Sequence, residues 1–130
     1  NQIEKEALET YVPIIRRETQ SFLKTLLAAQ KPKVILEVGT AIGFSALLMA
    51  EYSPSDTRIT TIEKYEKRIP IAKENFRRAG REDQITLLEG DAADDFQRYI
   101  ICYFSLLHAS LFLSVNGEVC CCLQPAYSAL

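Results

Sequence analysis

The sequence has no surplus of basic residues, and this argues against one large class of partners. Its 15 Lys and Arg residues are outnumbered by 17 Asp and Glu residues, and the formal net charge is -2 at pH 7. Because binding to a nucleic-acid backbone requires a basic face, we expect no nucleic-acid partner. The globular composition, with 48% hydrophobic and 25% charged residues, favours one domain that acts on small molecules.

The sequence also lacks a recognisable targeting segment. It opens at Asn1 without a cleavable signal pattern, so we expect a cytoplasmic protein. Residues 99–117 are uncharged, but this run contains the polar residues Ser105, His108 and Asn116. It also lacks the basic residues that usually flank a membrane helix at both ends. We therefore expect no membrane helix and no membrane partner.

Cysteines at the spacing of a disulfide framework or a metal site are absent as well. Three of the four cysteines, Cys120, Cys121 and Cys122, are consecutive, which suits neither a disulfide framework nor a metal site and indicates reduced thiols. The same stretch is poor in charge, since Glu118 is the one charged residue in positions 99–130. We therefore divide the domain into residues 1–98, a nucleotide-binding half with N-terminal helices, and an atypical apolar tail at 99–130.

Up to about residue 98 the chain alternates helices with strands. Buried apolar runs predict strands at 34–38, 58–62 and 84–88, the first of them buried on both faces. Helices are predicted at residues 2–10, 17–30 and 44–52 and from about Pro70 to a cap at Gly80. Their inward stripes are Phe22, Leu23, Leu26 and Leu27 in one helix, and Ile69, Ala72, Phe76 and Ala79 in another. This order predicts an α/β, Rossmann-like, doubly wound parallel sheet.

Ligands of open parallel sheets lie outside the carboxyl ends of the strands. The first strand of this chain ends in Glu37 and then a tight turn between Gly39 and Gly43. Missing side chains in such a turn let a ligand approach the backbone, and the following helix, with Ser45 in its first turn, offers free N–H groups. The strand, glycine turn and helix together indicate a nucleotide-binding unit.

The ends of the next two strands indicate which nucleotide. Glu63 ends the second strand, and a carboxylate there can accept both hydroxyls of a ribose. Asp91 and Ala92 follow the third strand, where an acceptor beside a small residue suits the amino group and flat face of an adenine. The three ends together predict a cofactor that contains adenosine.

The glycine pattern separates two kinds of adenosine cofactor. Gly39 and Gly43 are present, but Ala41 stands at the position of the middle glycine of the dinucleotide fingerprint. This glycine lets the backbone approach a pyrophosphate, so its absence disfavours a nicotinamide-dependent oxidoreductase. Instead, "EVGTAIG" resembles motif I of S-adenosylmethionine-dependent methyltransferases. Together with "YVPII", "ITTIEKYEKRIPIAKENFRRAG" and "ITLLEGDA", it is similar to the cation-dependent O-methyltransferase family, which includes catechol and caffeoyl-CoA O-methyltransferases. The resemblance covers about residues 1–95.

The resemblance implies S-adenosylmethionine as cofactor, magnesium as divalent cation and a small hydroxylated, aromatic acceptor. It implies that Val12 closes over the cofactor, that the segment from Glu37 to Ser45 holds its methionine part, and that Lys64 lies beside the adenosine. The implied cofactor-binding residues are Val12, Glu37, Gly39, Thr40, Gly43, Ser45, Glu63, Lys64, Asp91 and Ala92.

Residues 99–130 depart from this family. The Asp-Ala and Asp-Asn metal motifs and the nearby lysine of the family have no counterpart there, so we assign no metal ligand and no catalytic residue. A lone histidine such as His108 in an apolar segment is more often packed than catalytic. We expect a C-terminally incomplete sheet that keeps mainly the cofactor-binding part and covers its apolar edge by forming a homodimer. The alternatives are a non-catalytic or regulatory cofactor-binding module and a nicotinamide-dependent oxidoreductase fragment.

Overall fold

The computed structural model describes residues 2–9, 14–92, 113–115 and 118–122. The predictions for Val12 and His108, and the boundary at residue 98, lie outside these ranges. Within them, the helices are α1 (Gln2–Glu9), α2 (Arg17–Gln30), α3 (Phe44–Tyr52) and α4 (Ile69–Arg78). The strands are β1 (Val34–Val38), β2 (Arg58–Glu63), β3 (Ile85–Glu89), β4 (Leu113–Val115) and β5 (Glu118–Cys122).

The strands form one sheet in the order β3-β2-β1-β5-β4. Strands β1, β2, β3 and β5 are parallel, and β4 pairs antiparallel with β5. Because β2 lies on one side of β1 and β5 on the other, the strand order reverses at β1, which is where open α/β sheets bind their ligands. Val38, at the carboxyl end of β1, pairs with Ile62 of β2 and Cys122 of β5. The predicted α/β, doubly wound parallel arrangement is confirmed.

The ends of α4 follow the signals in the sequence. Pro70 lies in the first turn, where its missing N–H is not needed. Gly80 follows the helix with a φ of 63°. Its N–H donates to the Arg77 carbonyl at 3.0 Å, and the Arg81 N–H donates to the Phe76 carbonyl at 3.0 Å. These two bonds make a Schellman motif, so the cap predicted at Gly80 is confirmed.

One buried cluster connects the helices to the sheet. It joins Leu27 of α2, Ile35 of β1, Met49 of α3, Ile59 of β2 and Phe76 of α4. Burying a side chain of this kind contributes about 1.5–3 kcal/mol to stability. The cluster therefore holds α3 and α4 firmly against the strands whose ends carry the candidate site.

Three predicted core positions are wrong. Phe22 is 55% exposed, because α2 buries Leu23 and Leu27 and the preceding residue lies about 100° away around the helix. Ala79 is exposed because it is the C-cap residue, where the chain leaves the helix. Val34 is 42% exposed because it begins β1 at the amino-terminal rim of the sheet, so β1 is not buried on both faces along its whole length.

Candidate functional site

The turn between β1 and α3 contains three residues with left-handed backbone. The φ angle is 92° at Gly39, 49° at Ala41 and 87° at Gly43. Glycine adopts such angles without a steric penalty, whereas a residue with a β-carbon loses about 1–2 kcal/mol. The backbone therefore favours glycine at both ends of the turn, and the surroundings hold Ala41 in a strained conformation.

Main-chain hydrogen bonds fasten this turn to the end of β2. The N–H groups of Gly39 and Thr40 both donate to the Ile62 carbonyl, at 2.9 and 3.2 Å. The Gly43 N–H donates to the Thr40 carbonyl at 2.8 Å and closes a four-residue turn with Ala41 at its first central position. The turn and the end of β2 therefore form one rigid unit.

Glu63 joins the same unit through its side chain. It is 7% exposed, and its Oε2 accepts the Ala41 N–H at 2.7 Å while its Oε1 accepts the Tyr65 N–H at 2.9 Å. Each carboxylate oxygen has two lone pairs, so each can accept a further hydrogen bond. The carboxylate predicted to bind a ribose thus lies beside the glycine turn in a fixed orientation.

Glu37 lies inside the domain and is linked to three hydroxyl groups, two directly and one through Thr61. The residue is 0% exposed. Ser45 Oγ donates to its Oε1, and Thr61 Oγ1 donates to its Oε2 at 2.5 Å. Thr40 Oγ1 lies 2.6 Å from Thr61 Oγ1 and is the donor in that pair, because the Thr61 hydrogen is directed at Glu37. The four side chains form one buried network that links β1, β2, the turn and α3.

Burial raises the pKa of Glu37 to about 7. Loss of hydration is the main cause, the hydrogen bonds from Ser45 and Thr61 act in the opposite direction, and the nearby charge of Glu63 raises the pKa further. The Glu37 carboxyl group therefore changes its charge near neutral pH.

The third strand end lies beside the second. The Gly90 N–H donates to the Glu63 carbonyl at 3.0 Å, and Lys64 Nζ lies 3.3 Å from Asp91 Oδ2. Lys64 and Asp91 are both exposed, and Ala92 is partly buried. The structure thus brings these two predicted residues together as a surface ion pair, a kind of contact that contributes about 0–1 kcal/mol.

Helix α4 contacts the turn at two consecutive residues. Asn75 is 3% exposed, and its Nδ2 donates to the Ile42 carbonyl at 2.8 Å. The ring of Phe76 lies against Gly43, where an added β-carbon would come 2.5 Å from its Cε1. Gly43 therefore serves helix packing as well as the turn.

Sequence reasoning does not identify Thr61 or Asn75 as part of the site. Thr61 precedes Glu63 by two residues in β2, so strand alternation places the two on one face, and this signal could have found it. Asn75 is the polar residue within the buried stripe of Ala72 and Phe76, and a buried amide requires a partner. The partner of Asn75 is 33 residues away in the sequence, which the stripe alone does not indicate.

Hydrogen bonds join six of the ten predicted residues into one cluster, made of the glycine turn, the end of β2 and the buried network. These six are Glu37, Gly39, Thr40, Gly43, Ser45 and Glu63.

In the part of the chain that the structure describes, no group of three or more His, Cys, Asp and Glu residues could hold a metal ion. Nor does any helix of the described ranges have the length and apolar character needed to cross a membrane.

Comparison with known proteins decides the family. A sequence model of the O-methyltransferase family matches residues 2–101, which is most of the chain. The chain belongs to the O-methyltransferase family. Among curated members, it is 37% identical over 73 residues to the catechol O-methyltransferase of Niastella koreensis, a match that covers 56% of this chain and 33% of that enzyme. The resemblance found in the sequence is confirmed.

Solved structures of the family share the fold. The O-methyltransferase from Bacillus cereus in complex with SAH matches with a TM-score of 0.67 and 28% identity, over 80% of this chain and 48% of that one. An O-methyltransferase of tomaymycin synthesis from Streptomyces achromogenes, in complex with SAM, matches with a TM-score of 0.63 and 26% identity, over 71% and 42%. This family member therefore spans about a third to a half of the length of these relatives.

Proposed function

We propose that this chain carries the S-adenosylmethionine-binding part of an O-methyltransferase that methylates a hydroxyl group of a small, aromatic acceptor. The observation that supports this most directly is the position of Glu63. Its carboxylate ends β2 beside the glycine turn and is held there by the N–H groups of Ala41 and Tyr65. The SAH and SAM complexes of the two structural relatives agree with this proposal.

Glu63 suits a ribose because its carboxylate is fixed before the ligand arrives. One lone pair on each oxygen accepts a main-chain N–H, and another on each remains for a ribose hydroxyl. Since the side chain is already ordered, binding costs little further conformational entropy. Hydrogen bonds to a charged acceptor are also stronger than neutral ones, so Glu63 provides a large share of the affinity.

Other predicted residues belong to the glycine turn and to the neighbouring strand ends. We propose that the turn from Gly39 to Gly43 holds the methionine part of the cofactor and that Asp91, next to Lys64, accepts from the adenine amino group. Glu37 acts from inside the domain, because it is 0% exposed and its two oxygens accept from the buried Ser45 and Thr61 hydroxyls. By accepting from Ser45 and Thr61, it fixes the first turn of α3 relative to β2.

The cofactor supplies an electrophilic methyl group attached to a sulfonium sulfur. What the described residues contribute is binding and orientation at the carboxyl edge of the sheet, which can account for a large part of a rate enhancement. The family resemblance also implies magnesium, and we assign no described residue to that ion. The homodimer, the acceptor class and the cytoplasmic location remain predictions.

Calorimetric titration of the chain with S-adenosylhomocysteine tests the cofactor assignment. Glu63→Ala removes the acceptor of two charge-assisted hydrogen bonds, so we expect its affinity to fall at least about tenfold. Glu82→Ala is the matched control, because it removes an exposed carboxylate at the amino-terminal end of β3, and it should bind as the wild type does. Unchanged binding by Glu63→Ala would overturn the assignment.

A second titration separates the two cofactor classes. S-adenosylhomocysteine should bind more tightly than NADH, because Ala41 replaces the glycine that allows close approach of a pyrophosphate. Tighter binding of NADH would favour the oxidoreductase alternative.

A further inference from the structure

We infer that Asn75 is a positioning residue for the cofactor, acting through the main chain of the glycine turn; this inference rests on the proposed function. Asn75 belongs to α4 and contacts the glycine turn from outside it. Its Nδ2 donates to the Ile42 carbonyl at 2.8 Å, and both residues are 3% exposed. Buried polar groups are hydrogen-bonded in native proteins, and the partner of this amide is a carbonyl 33 residues away in the sequence. The bond therefore fixes α4 to the turn.

The carbonyl that Asn75 binds is not used by helix α3. The first carbonyl that accepts a helical N–H is that of Gly43, which receives the Leu47 N–H at 3.1 Å. The Ile42 carbonyl lies one residue earlier, where the turn becomes helix, and a buried carbonyl without a partner would cost about 1–3 kcal/mol. Asn75 supplies that partner from outside the turn.

This bond fixes one complete peptide group. The peptide between Ile42 and Gly43 has its carbonyl bound by Asn75 and its N–H bound by the Thr40 carbonyl at 2.8 Å. A rotation of this group would change the φ of Gly43, which is 87° and which sets the direction in which α3 leaves the turn. Asn75 and the Thr40 carbonyl therefore together oppose the rotation that would move the start of α3.

The first turn of α3 lies next to the proposed methionine site. Ser45, in that turn, is also tied to Glu37, so the turn and helix are held from two sides, by Glu37 and by Asn75. Without the bond from Asn75, the Ile42–Gly43 peptide could rotate while the rest of the domain kept its fold. We therefore expect the loss of Asn75 to affect the methionine part of the cofactor more than the adenosine part, which depends on Glu63.

Asn75→Leu tests this inference, because leucine has the same branching at Cγ and the same number of side-chain heavy atoms but cannot donate a hydrogen bond. S-adenosylhomocysteine should bind about tenfold more weakly to the variant, whereas adenosine, followed by ligand-observed NMR, should change less than about twofold. Asn75→Asp, which has the same shape and loses the amide donor at neutral pH, should show the same difference between the two ligands. Circular dichroism confirms that each variant is folded at the temperature of the titration.

Thr57→Val is the matched control. Thr57 is fully buried and donates from Oγ1 to the Pro32 carbonyl at 2.6 Å, so its loss also removes a buried bond from a side chain to a carbonyl, at the amino-terminal edge of the sheet. It should lower the unfolding temperature and leave both affinities unchanged.

The outcomes distinguish this inference from the proposed function. Failure of the wild type to bind S-adenosylhomocysteine overturns the proposed function and with it the inference. If the wild type binds, but Asn75→Leu and Asn75→Asp weaken both ligands equally or neither, Asn75 has a structural role alone and the inference is wrong.

Discussion

The ring of Phe76 lies so close to Gly43 that a β-carbon on this glycine would come 2.5 Å from the ring Cε1. Real β-carbons do not approach other atoms this closely, so a side chain at position 43 requires Phe76 or α4 to move. Gly43 also has a φ of 87°, which disfavours a β-carbon for a separate reason. The contact explains why α4 can pack directly against the start of α3.

We expect Gly43→Ala to lower the free energy of unfolding by about 2–4 kcal/mol. About 1–2 kcal/mol comes from backbone strain and the remainder from overpacking against Phe76. The chain offers a matched control in Gly80, which has a φ of 63° and nothing within 4 Å of an added β-carbon. Gly80→Ala should therefore cost the strain alone, about 1–2 kcal/mol. Equal losses for the two variants in urea denaturation would contradict the steric role of Phe76.

Stability should depend on the pH through Glu37. Its pKa is about 7 in the folded chain and 4.5 without perturbation, so between these values the folded state holds a proton that the unfolded state has released. The stabilising contribution of this proton is complete below about pH 4.5 and is lost as the pH rises through about 7, a change of about 3 kcal/mol. Glu37→Gln removes this dependence, because glutamine does not titrate.

The measurement is urea denaturation of the wild type and Glu37→Gln, followed by circular dichroism at pH values between about 4.5 and 8. The free energy of unfolding of the wild type minus that of the variant should fall by about 3 kcal/mol as the pH rises across this window. Glu82→Gln, at an exposed position, should run parallel to the wild type. Parallel curves for Glu37→Gln as well would show that Glu37 keeps an ordinary pKa.

Thr61 should matter more than its neighbour Thr60. Thr61 Oγ1 donates to Glu37 and accepts from Thr40, so Thr61→Val leaves two buried polar groups without this partner. We expect a loss of about 1–3 kcal/mol and a further rise in the pKa of Glu37, since a hydrogen bond that lowers it is removed. Thr60→Val, on the opposite face of the same strand, should change stability by less than about 0.5 kcal/mol. Similar losses for both variants in urea denaturation would show that the network does not depend on Thr61.

We expect this chain to keep cofactor binding and to lack most of the methyl-transfer activity. Residues 99–130 contain no Asp and a single Glu, Glu118, so they offer few of the oxygen ligands that magnesium prefers. We expect the chain to bind S-adenosylhomocysteine but to transfer little methyl to catechol, with or without magnesium. The assay uses protein sized by light scattering, which should show a dimer. Metal-stimulated turnover by a monomer would contradict both expectations.

The sequence by itself determined the local structure and the positions to examine. Helix α2 begins and ends where its apolar spacing predicts, α3 begins and ends where its helix-forming composition predicts, and Gly80 caps α4 as expected. These features depend on neighbours within a few residues, through period, capping and turn chemistry. Motif I and the carboxylate that ends β2 were recognisable for the same reason, since each follows directly on its own strand.

Only the tertiary structure decided what these residues do to one another. The register of β1 with β2 places Thr61 beside Glu37 and makes Glu37 the centre of a buried network, 24 residues from its donor. The packing of α4 on the turn brings Asn75 to Ile42 and Phe76 to Gly43. Strand register and helix packing arise from the burial of apolar surface over the whole domain, and spacing within one element does not encode them. A chain with the same local pattern but a different register would keep its helices and strands and lose this site.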